Sequence, residues 1–132
     1  MEGYTQRIGA WGEEEASLFL IQQGYEIAGR NISCRMGELD IIAWHEKPYN
    51  GKTLCFIEVK TRGYGLGSGA RATNKEKVRH MQLAAKWYCK HGGICIEDTP
   101  IQFEQISVYG GPDRGVVSLQ HFIIPIDKMG FV

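Results

Sequence analysis

Apolar and polar positions divide the chain into segments with two different periods. Apolar residues recur at helical spacing from Glu13 to Gln23, before Gly24, and again from about Asn74 to His91, before Gly92. Alternating or continuous apolar runs predict strands around Tyr25–Cys34, Glu38–Trp44, Leu54–Lys60, Ile101–Tyr109 and Val116–Ile124. The predicted order is therefore helix, three strands, helix and two strands.

Two of the predicted strands carry acidic residues inside apolar runs. Glu38 and Asp40 lie in the first of them, and Glu58 lies in the second, two residues before Lys60. Because burying an unpaired carboxylate is costly, several in adjoining strands indicate a shared use. Side chains alternate along a strand, so Asp40, Glu58 and Lys60 converge if these strands pair as neighbours. Two carboxylates beside an ammonium suit Mg²⁺ binding and phosphodiester hydrolysis.

The two predicted helices can bring further charges towards this cluster. On the first helix, Glu13 lies closest to the apolar stripe and Glu14 points away. The plain alternative for Glu13 is an acid favoured by the dipole near a helix N-terminus. On the second helix, Lys77 falls on the apolar stripe while Lys75 points outward. The Lys77 ammonium either reaches past the apolar surface to solvent or lies over the open end of the sheet, beside Lys60.

Composition limits the class of protein, and the distribution of charge points to a partner. The chain has 132 residues, 43% of them hydrophobic, which suits a single domain over residues 1–132. Apolar runs stay below membrane-spanning length, so we expect a soluble, cytoplasmic protein with no membrane partner. The net charge is zero, yet Lys60 to Lys90 holds eight basic residues against one acid, Glu76. This side could meet phosphates, although basic helix faces are also common in proteins that bind no nucleic acid.

Several motifs follow one another along roughly the first two thirds of the chain. They are Gly9–Glu13 with Ala16, Gly24–Tyr25, Arg30–Asn31, Gly37–Ala43, Phe56–Arg62, Gly67, and Lys77 with Ala84–Ala85. This ordered set resembles the YraN-like family of predicted endonucleases, within the PD-(D/E)xK nuclease superfamily and related to archaeal Holliday-junction resolvases. The match is poorer at Gln102–Gln105, where family members usually carry Arg-Phe-Asp-Val, and at His45–Thr53, which looks longer than their connection.

The resemblance implies a fold and a metal site. The fold is an α/β one, a restriction-endonuclease-like three-layer α/β/α core around a central mixed sheet, in the order α-β-β-β-α-β-β. Asp40 and Glu58 would bind Mg²⁺, with Mn²⁺ as a substitute, helped by the main-chain carbonyl of Val59. Lys60 would act beside the attacked phosphate. The remaining implied site residues are Glu13, which completes the catalytic set and reaches the metal through a water, and Glu38 and Lys77 in support.

The implied activity is a metal-dependent DNA endonuclease for branched or otherwise structured DNA in repair or recombination. We expect phosphate contacts from the basic helix and from the glycine-rich Gly63–Gly69 loop, which should be mobile. The expected contact residues are Arg62, Arg71, Lys75, Lys77 and Arg79. The relatives act as symmetric dimers, which makes a homodimer one arrangement to test. Interface candidates, which could instead complete the core, are Phe122, Ile123, Ile124, Phe131 and Val132.

Two alternatives stay open. The first is a non-catalytic nucleic-acid-binding module that acts with a partner enzyme. The second is purely structural: Glu58 and Lys60 form an ion pair along their strand, and Asp40 pairs with a nearby arginine.

Overall fold

The described part of the chain forms an α/β arrangement in which one helix precedes three strands and a second helix precedes two more. The structure is a computed structural model, and it describes residues 3–64 and 74–126. The elements are α1 (Tyr4–Gln22), β1 (Glu26–Cys34), β2 (Gly37–Lys47), β3 (Gly51–Thr61), α2 (Lys75–His91), β4 (Ile101–Gly111) and β5 (Gly115–Ile124). A single 3-10 turn, Ile96–Asp98, lies between α2 and β4.

The strands form one mixed sheet in the order β1-β2-β3-β4-β5. Neighbouring strands are antiparallel except β3 and β4, which run parallel and are connected through α2. A parallel pair needs a long crossover, whereas the antiparallel pairs need only tight turns. The predicted α/β class and central mixed sheet are confirmed.

Each face of the sheet packs against one helix. Ala16 and Leu20 of α1 contact the face that carries Ile41 and Ile57. The opposite face packs against α2, and its cluster contains Ile42, Leu54, Phe56, Phe103, Met81, Ala84, Ala85 and Cys89. Because β2 and β3 are buried on both faces, they read as continuous apolar runs in which a charged residue stands out.

The first helix begins earlier than its periodicity predicts. It starts at Tyr4, whereas the pattern predicted a start at Glu13. Two weak helix formers, Gly9 and Gly12, interrupt the signal in this part. Gly12 has a packing reason, because a Cβ there would lie 2.0 Å from Thr61 Oγ1. The helix therefore approaches β3 closely at this point.

The segment His45–Thr53 is a hairpin rather than a long connection. The β2–β3 ladder continues through the pair Trp44 and Leu54 as far as Lys47 and Gly51. Only the short turn 48–50 separates the two strands. This segment thus consists mostly of paired strand and contains little loop.

Other predicted features can be placed as follows. Asn74 caps α2 as predicted, accepting a hydrogen bond from the Lys77 N–H at 2.9 Å. Ile124 is 4% exposed and completes the core, whereas Ile123 is 65% exposed. No helix within the described parts of the chain is long and apolar enough to cross a membrane. The predictions that involve Gly67, most of the glycine-rich loop, Arg71, Phe131 and Val132 lie outside the described residues.

A buried polar network, which the sequence did not predict, surrounds Glu104 on the face of the sheet that packs against α1. This side chain is fully buried and receives hydrogen bonds from Tyr25 Oη at 2.8 Å and Gln102 Nε2 at 2.8 Å. Lys47 Nζ lies 3.1 Å from one carboxylate oxygen, and His121 Nε2 lies 2.6 Å from the other. Burial alone would raise the pKa of Glu104, but these contacts outweigh it and lower the pKa to about 2.

The close approach of α1 to β3 makes Gly12→Ala destabilising. The added methyl would overlap the Thr61 side chain, so we expect a loss of about 1–3 kcal/mol in the free energy of unfolding. Gly9→Ala is the matched control, because a Cβ there meets nothing within 4 Å and alanine favours the helix by up to about 1 kcal/mol. Urea denaturation of both variants measures the difference. Equal stabilities would contradict the packing.

The network around Glu104 should make stability depend on pH on the acid side. Because the folded pKa lies below the unfolded one, the contribution of Glu104 is complete above the unfolded value and is lost as the pH falls towards about 2. Glu104→Gln should therefore cost about 3 kcal/mol at pH 7 and progressively less below pH of roughly 4. Denaturation from pH 2 to pH 8 tests this, with the exposed Glu26→Gln as control. A pH-independent difference would contradict it.

Candidate active site

Asp40 lies where the backbone pairing between β2 and β3 stops. The last residue pair at this end of the ladder is Ile41 with Ile57. Beyond it, the Val59 N–H donates to Asp40 Oδ2 at 2.9 Å, so a side-chain carboxylate takes the place of a backbone acceptor. This hydrogen bond fixes the Asp40 carboxylate at the edge between the two strands.

Glu58 is a buried carboxylate that two ammonium groups contact. The residue is 4% exposed. Lys60 Nζ lies 3.3 Å from Glu58 Oε1, and Lys77 Nζ contacts the same oxygen. One lysine comes from the same strand and the other from the first turn of α2. The ion pair between Glu58 and Lys77 therefore links β3 to α2.

Glu13 approaches from α1 and leaves an oxygen unsatisfied. Its Oε1 is buried and has no hydrogen-bond partner among the described residues. Burial raises the pKa of Glu13, and the charges of Asp40 and Glu38 raise it further, while Arg30 opposes the shift. The neighbouring Glu14 pairs with Arg30 at 2.9 Å. Glu13 thus shares an electrostatic environment with Asp40, as its place on the helix predicted.

The other charges of the cluster influence one another in the same way. Burial raises the pKa of Asp40, and the charges of Glu58 and Glu38 add to this, against the hydrogen bond from Val59. Burial lowers the pKa of Lys60, as does the adjacent Lys77. For Lys77, burial acts to lower the pKa, but the contacts with Glu58 outweigh it and the pKa is raised. Such crowding of ionisable groups in a cleft is typical of functional sites.

A cavity of about 430 Å³ opens at this cluster. Asp40 and Glu58 line its sheet side, while Lys77 and His80 line it from α2. A cavity of this size is within the range of ligand sites. His80 did not stand out in the sequence, because a single histidine on the exposed part of a helix gives no distinguishing signal.

Comparison with known proteins assigns the chain to a family. The family model described as "Uncharacterised protein family UPF0102" matches residues 12–108. The chain belongs to the UPF0102 family. The resemblance to YraN-like proteins is therefore confirmed at the level of the family. The matched range contains all the acids and lysines of the site, which are Glu13, Glu38, Asp40, Glu58, Lys60 and Lys77.

Three relatives illustrate the similarity. A UPF0102 protein of Parafrankia sp. (strain EAN1pec) is 40% identical over 119 residues, or 89% of this chain and 93% of the relative. A UPF0102 protein of Roseiflexus castenholzii is 33% identical over 130 residues, covering 97% and 99%. A third, from Symbiobacterium thermophilum, is 37% identical over 110 residues, covering 83% and 87%.

The site of this UPF0102 chain contains the right kind of ligands for a hard divalent cation. Carboxylates from α1, β2 and β3 share one environment, and a buried Glu13 oxygen lacks a partner among the described residues. Within residues 3–64 and 74–126, however, no three acidic, histidine or cysteine side chains form a preformed metal site. Glu58 faces its two lysines and Asp40 faces the Val59 N–H instead. These carboxylates are the kind of oxygen ligand that Mg²⁺ prefers. Before Glu58 could bind the cation, its carboxylate would have to give up a contact with one of the two lysines.

Six of the predicted site residues lie together in the structure: Glu13, Glu38, Asp40, Glu58, Lys60 and Lys77. One of the two contacts that the purely structural alternative predicts is also observed, since Glu58 and Lys60 form an ion pair. Asp40 bonds a backbone N–H, where that alternative expected an arginine. Lys77 contacts Glu58, although its side chain remains 47% exposed. The predicted phosphate contacts Arg62, Lys75 and Arg79 are all exposed.

The raised pKa of Asp40 predicts a stabilising substitution in this UPF0102 chain. A folded pKa above the unfolded one means that the ionised carboxylate disfavours folding at neutral pH. Asp40→Asn keeps an acceptor for Val59 without the charge, so we expect a gain of about 0.5–2 kcal/mol at pH 7. The gain should vanish as the pH falls below the unfolded pKa, where Asp40 is protonated in both states. Metal-free urea denaturation at pH 3, 5 and 7 tests this, and destabilisation at pH 7 would contradict it.

Proposed function

We propose that this protein is a metal-dependent endonuclease that hydrolyses phosphodiester bonds in DNA. The observation that carries the proposal is the convergence of charged groups from separate segments: Asp40 and Glu58 line one cavity, Lys60 contacts Glu58, and the charges of Glu13 and Asp40 act on each other. Charged residues that are costly to bury seldom gather in this way without a function. The arrangement of one helix on each face of a mixed sheet agrees with a restriction-endonuclease-like, three-layer core.

The residues divide the work as follows. Asp40 and Glu58, with the Val59 carbonyl, would hold Mg²⁺ or Mn²⁺, and Glu13 would contribute through a water. When bound, the cation would supply Lewis-acid chemistry and lower the pKa of water. Lys60 would stabilise negative charge on the attacked phosphate, because its ammonium lies beside Glu58, which lines the cavity. Glu38 and Lys77 would support this set by their charge and contacts.

The proposed substrate is DNA, branched or otherwise structured, in repair or recombination, which implies a cytoplasmic protein. Lys75 and Arg79 are exposed on the first turns of α2, the helix that lines the cavity. Arg62 is exposed just beyond β3. Such residues would position phosphates without reading bases. Of the proposed homodimer contacts, Ile123 is exposed while Ile124 lies in the core.

One observation favours the non-catalytic alternative, a nucleic-acid-binding module that acts with a partner enzyme. Both lysines already neutralise Glu58, which leaves it engaged in the described structure. If this ion pair were permanent, the basic face could still bind DNA without hydrolysis.

Cleavage of branched and linear DNA in Mg²⁺ or Mn²⁺ tests the proposal. Asp40→Asn and Lys60→Ala should each lower the rate by about 100-fold or more, because each removes a group that acts on the reacting phosphate or the cation. Glu13→Gln should also lower it. Glu26→Gln is the control and should cleave normally, because Glu26 is exposed and pairs with Trp44 at the end of the β1–β2 ladder away from Glu38 and Asp40.

The outcomes separate the candidate functions. Cleavage that survives Asp40→Asn and Lys60→Ala would contradict the assigned site and indicate a contaminating nuclease. Salt-sensitive DNA binding without any product in either metal would favour the binding module.

A further inference from the structure

Two ammonium groups contact a single carboxylate oxygen of Glu58. Lys60 Nζ lies 3.3 Å from this oxygen, and Lys77 Nζ contacts it more closely. The Glu58 side chain is 5% exposed, so the two ammonium groups place positive charge next to a carboxylate that has little contact with water. A divalent cation that is to bind Glu58 must therefore compete with these two ammonium groups for the carboxylate.

We propose that Lys77 is an internal competitor of the divalent cation for the Glu58 carboxylate. The inference rests on the proposed function, since it concerns the same site. It assigns to Lys77 a role in setting the affinity for the cation, in addition to supporting the phosphate. A cation would have to displace the Lys77 ammonium before Glu58 could coordinate it.

Lys77, and not Lys60, has the freedom that this exchange requires. Lys60 lies on the same strand two residues beyond Glu58, so its backbone keeps it beside the carboxylate. Lys77 reaches across from α2, and its side chain is 47% exposed against 31% for Lys60. A displaced Lys77 ammonium can therefore move into water at little cost, because long lysine side chains leave their charged end in solvent readily. Glu58, almost fully buried, cannot make the complementary movement.

The position of Lys77 in the helix is itself fixed. Its N–H donates to the Asn74 side chain in the N-terminal cap, at 2.9 Å. The following turn carries Met81, which is buried in the apolar cluster between α2 and the sheet. The helix thus holds the Lys77 backbone in place over the cavity, and only the half-exposed side chain has to move for its contact with Glu58 to break. The contact with Glu58 is a side-chain event that needs no movement of α2.

Mn²⁺ titration by isothermal calorimetry, without DNA, tests the inference on a readout other than activity. Lys77→Gln should tighten Mn²⁺ binding roughly tenfold, because the charged contact with Glu58 no longer has to be broken. Lys77→Arg keeps a cation able to pair with Glu58 and should bind Mn²⁺ like wild type. Lys75→Gln removes the same unit charge from the start of the same helix. It should change the affinity much less, since exposed charges are screened.

Thermal denaturation in a chelator gives a second, metal-free readout. Lys77→Gln should lower Tm by about 4 °C relative to Lys75→Gln, because Glu58 loses a partner. Saturating Mn²⁺ should then raise Tm more for Lys77→Gln than for wild type, as tighter binding to the folded state requires. Circular dichroism before titration establishes that each variant is folded.

The possible results distinguish failure of the inference from failure of the proposed function. If wild type binds Mn²⁺ and Lys77→Gln binds it no more tightly, the competition is overturned while the metal site stands. Equal tightening by Lys75→Gln would also overturn it, because general charge would then explain the effect. If wild type itself binds no Mn²⁺, the proposed metal dependence fails, and the inference fails with it.

Discussion

A carboxylate buried inside a sheet needs a positive partner, and at Glu58 this requirement connects the main parts of the molecule. The partners are Lys60 from β3 and Lys77 from α2. Lys77 can reach Glu58 only because α2 begins at the Asn74 cap, which places this lysine in the first turn. The core residues of α2 hold the helix against the same face of the sheet. The ion pair, the helix cap and the hydrophobic packing therefore support one another.

Two parts of the molecule treat buried carboxylates in opposite ways. On the α1 face, Glu104 receives donors from several segments, and its pKa is lowered to about 2. At the edge between β2 and β3, burial and neighbouring acids instead raise the pKa of Asp40 and of Glu13. A saturated carboxylate stabilises the fold, whereas a crowded and partly unsatisfied one holds free energy that a bound cation can release. The same chemical group is structural in one place and, under the proposed function, reactive in the other.

The sequence predicted the features that have a local signal. Asn74 and the apolar stripe after it define α2, and charges inside apolar runs identified Asp40 and Glu58. The start of α1 was missed because Gly12 is required by contact with Thr61, which is distant in sequence. The Glu104 network was missed for a similar reason, since Tyr25, Lys47 and His121 come from separate segments. Which partner Glu58 takes also depends on tertiary packing, so no spacing rule could choose between a strand ion pair and a contact with Lys77.

Charge balance explains why cation and substrate should depend on each other at such a site. When all are ionised, the four acids Glu13, Glu38, Asp40 and Glu58 carry two more negative charges than Lys60 and Lys77 balance. Without a cation, a phosphodiester would meet this net negative charge, which is unfavourable in a partly buried cavity. A divalent cation neutralises the set and so admits the phosphodiester, which in turn gives a displaced lysine an anion to face. Binding of the two would then be mutually favourable, and by linkage each would raise the affinity for the other by the same factor.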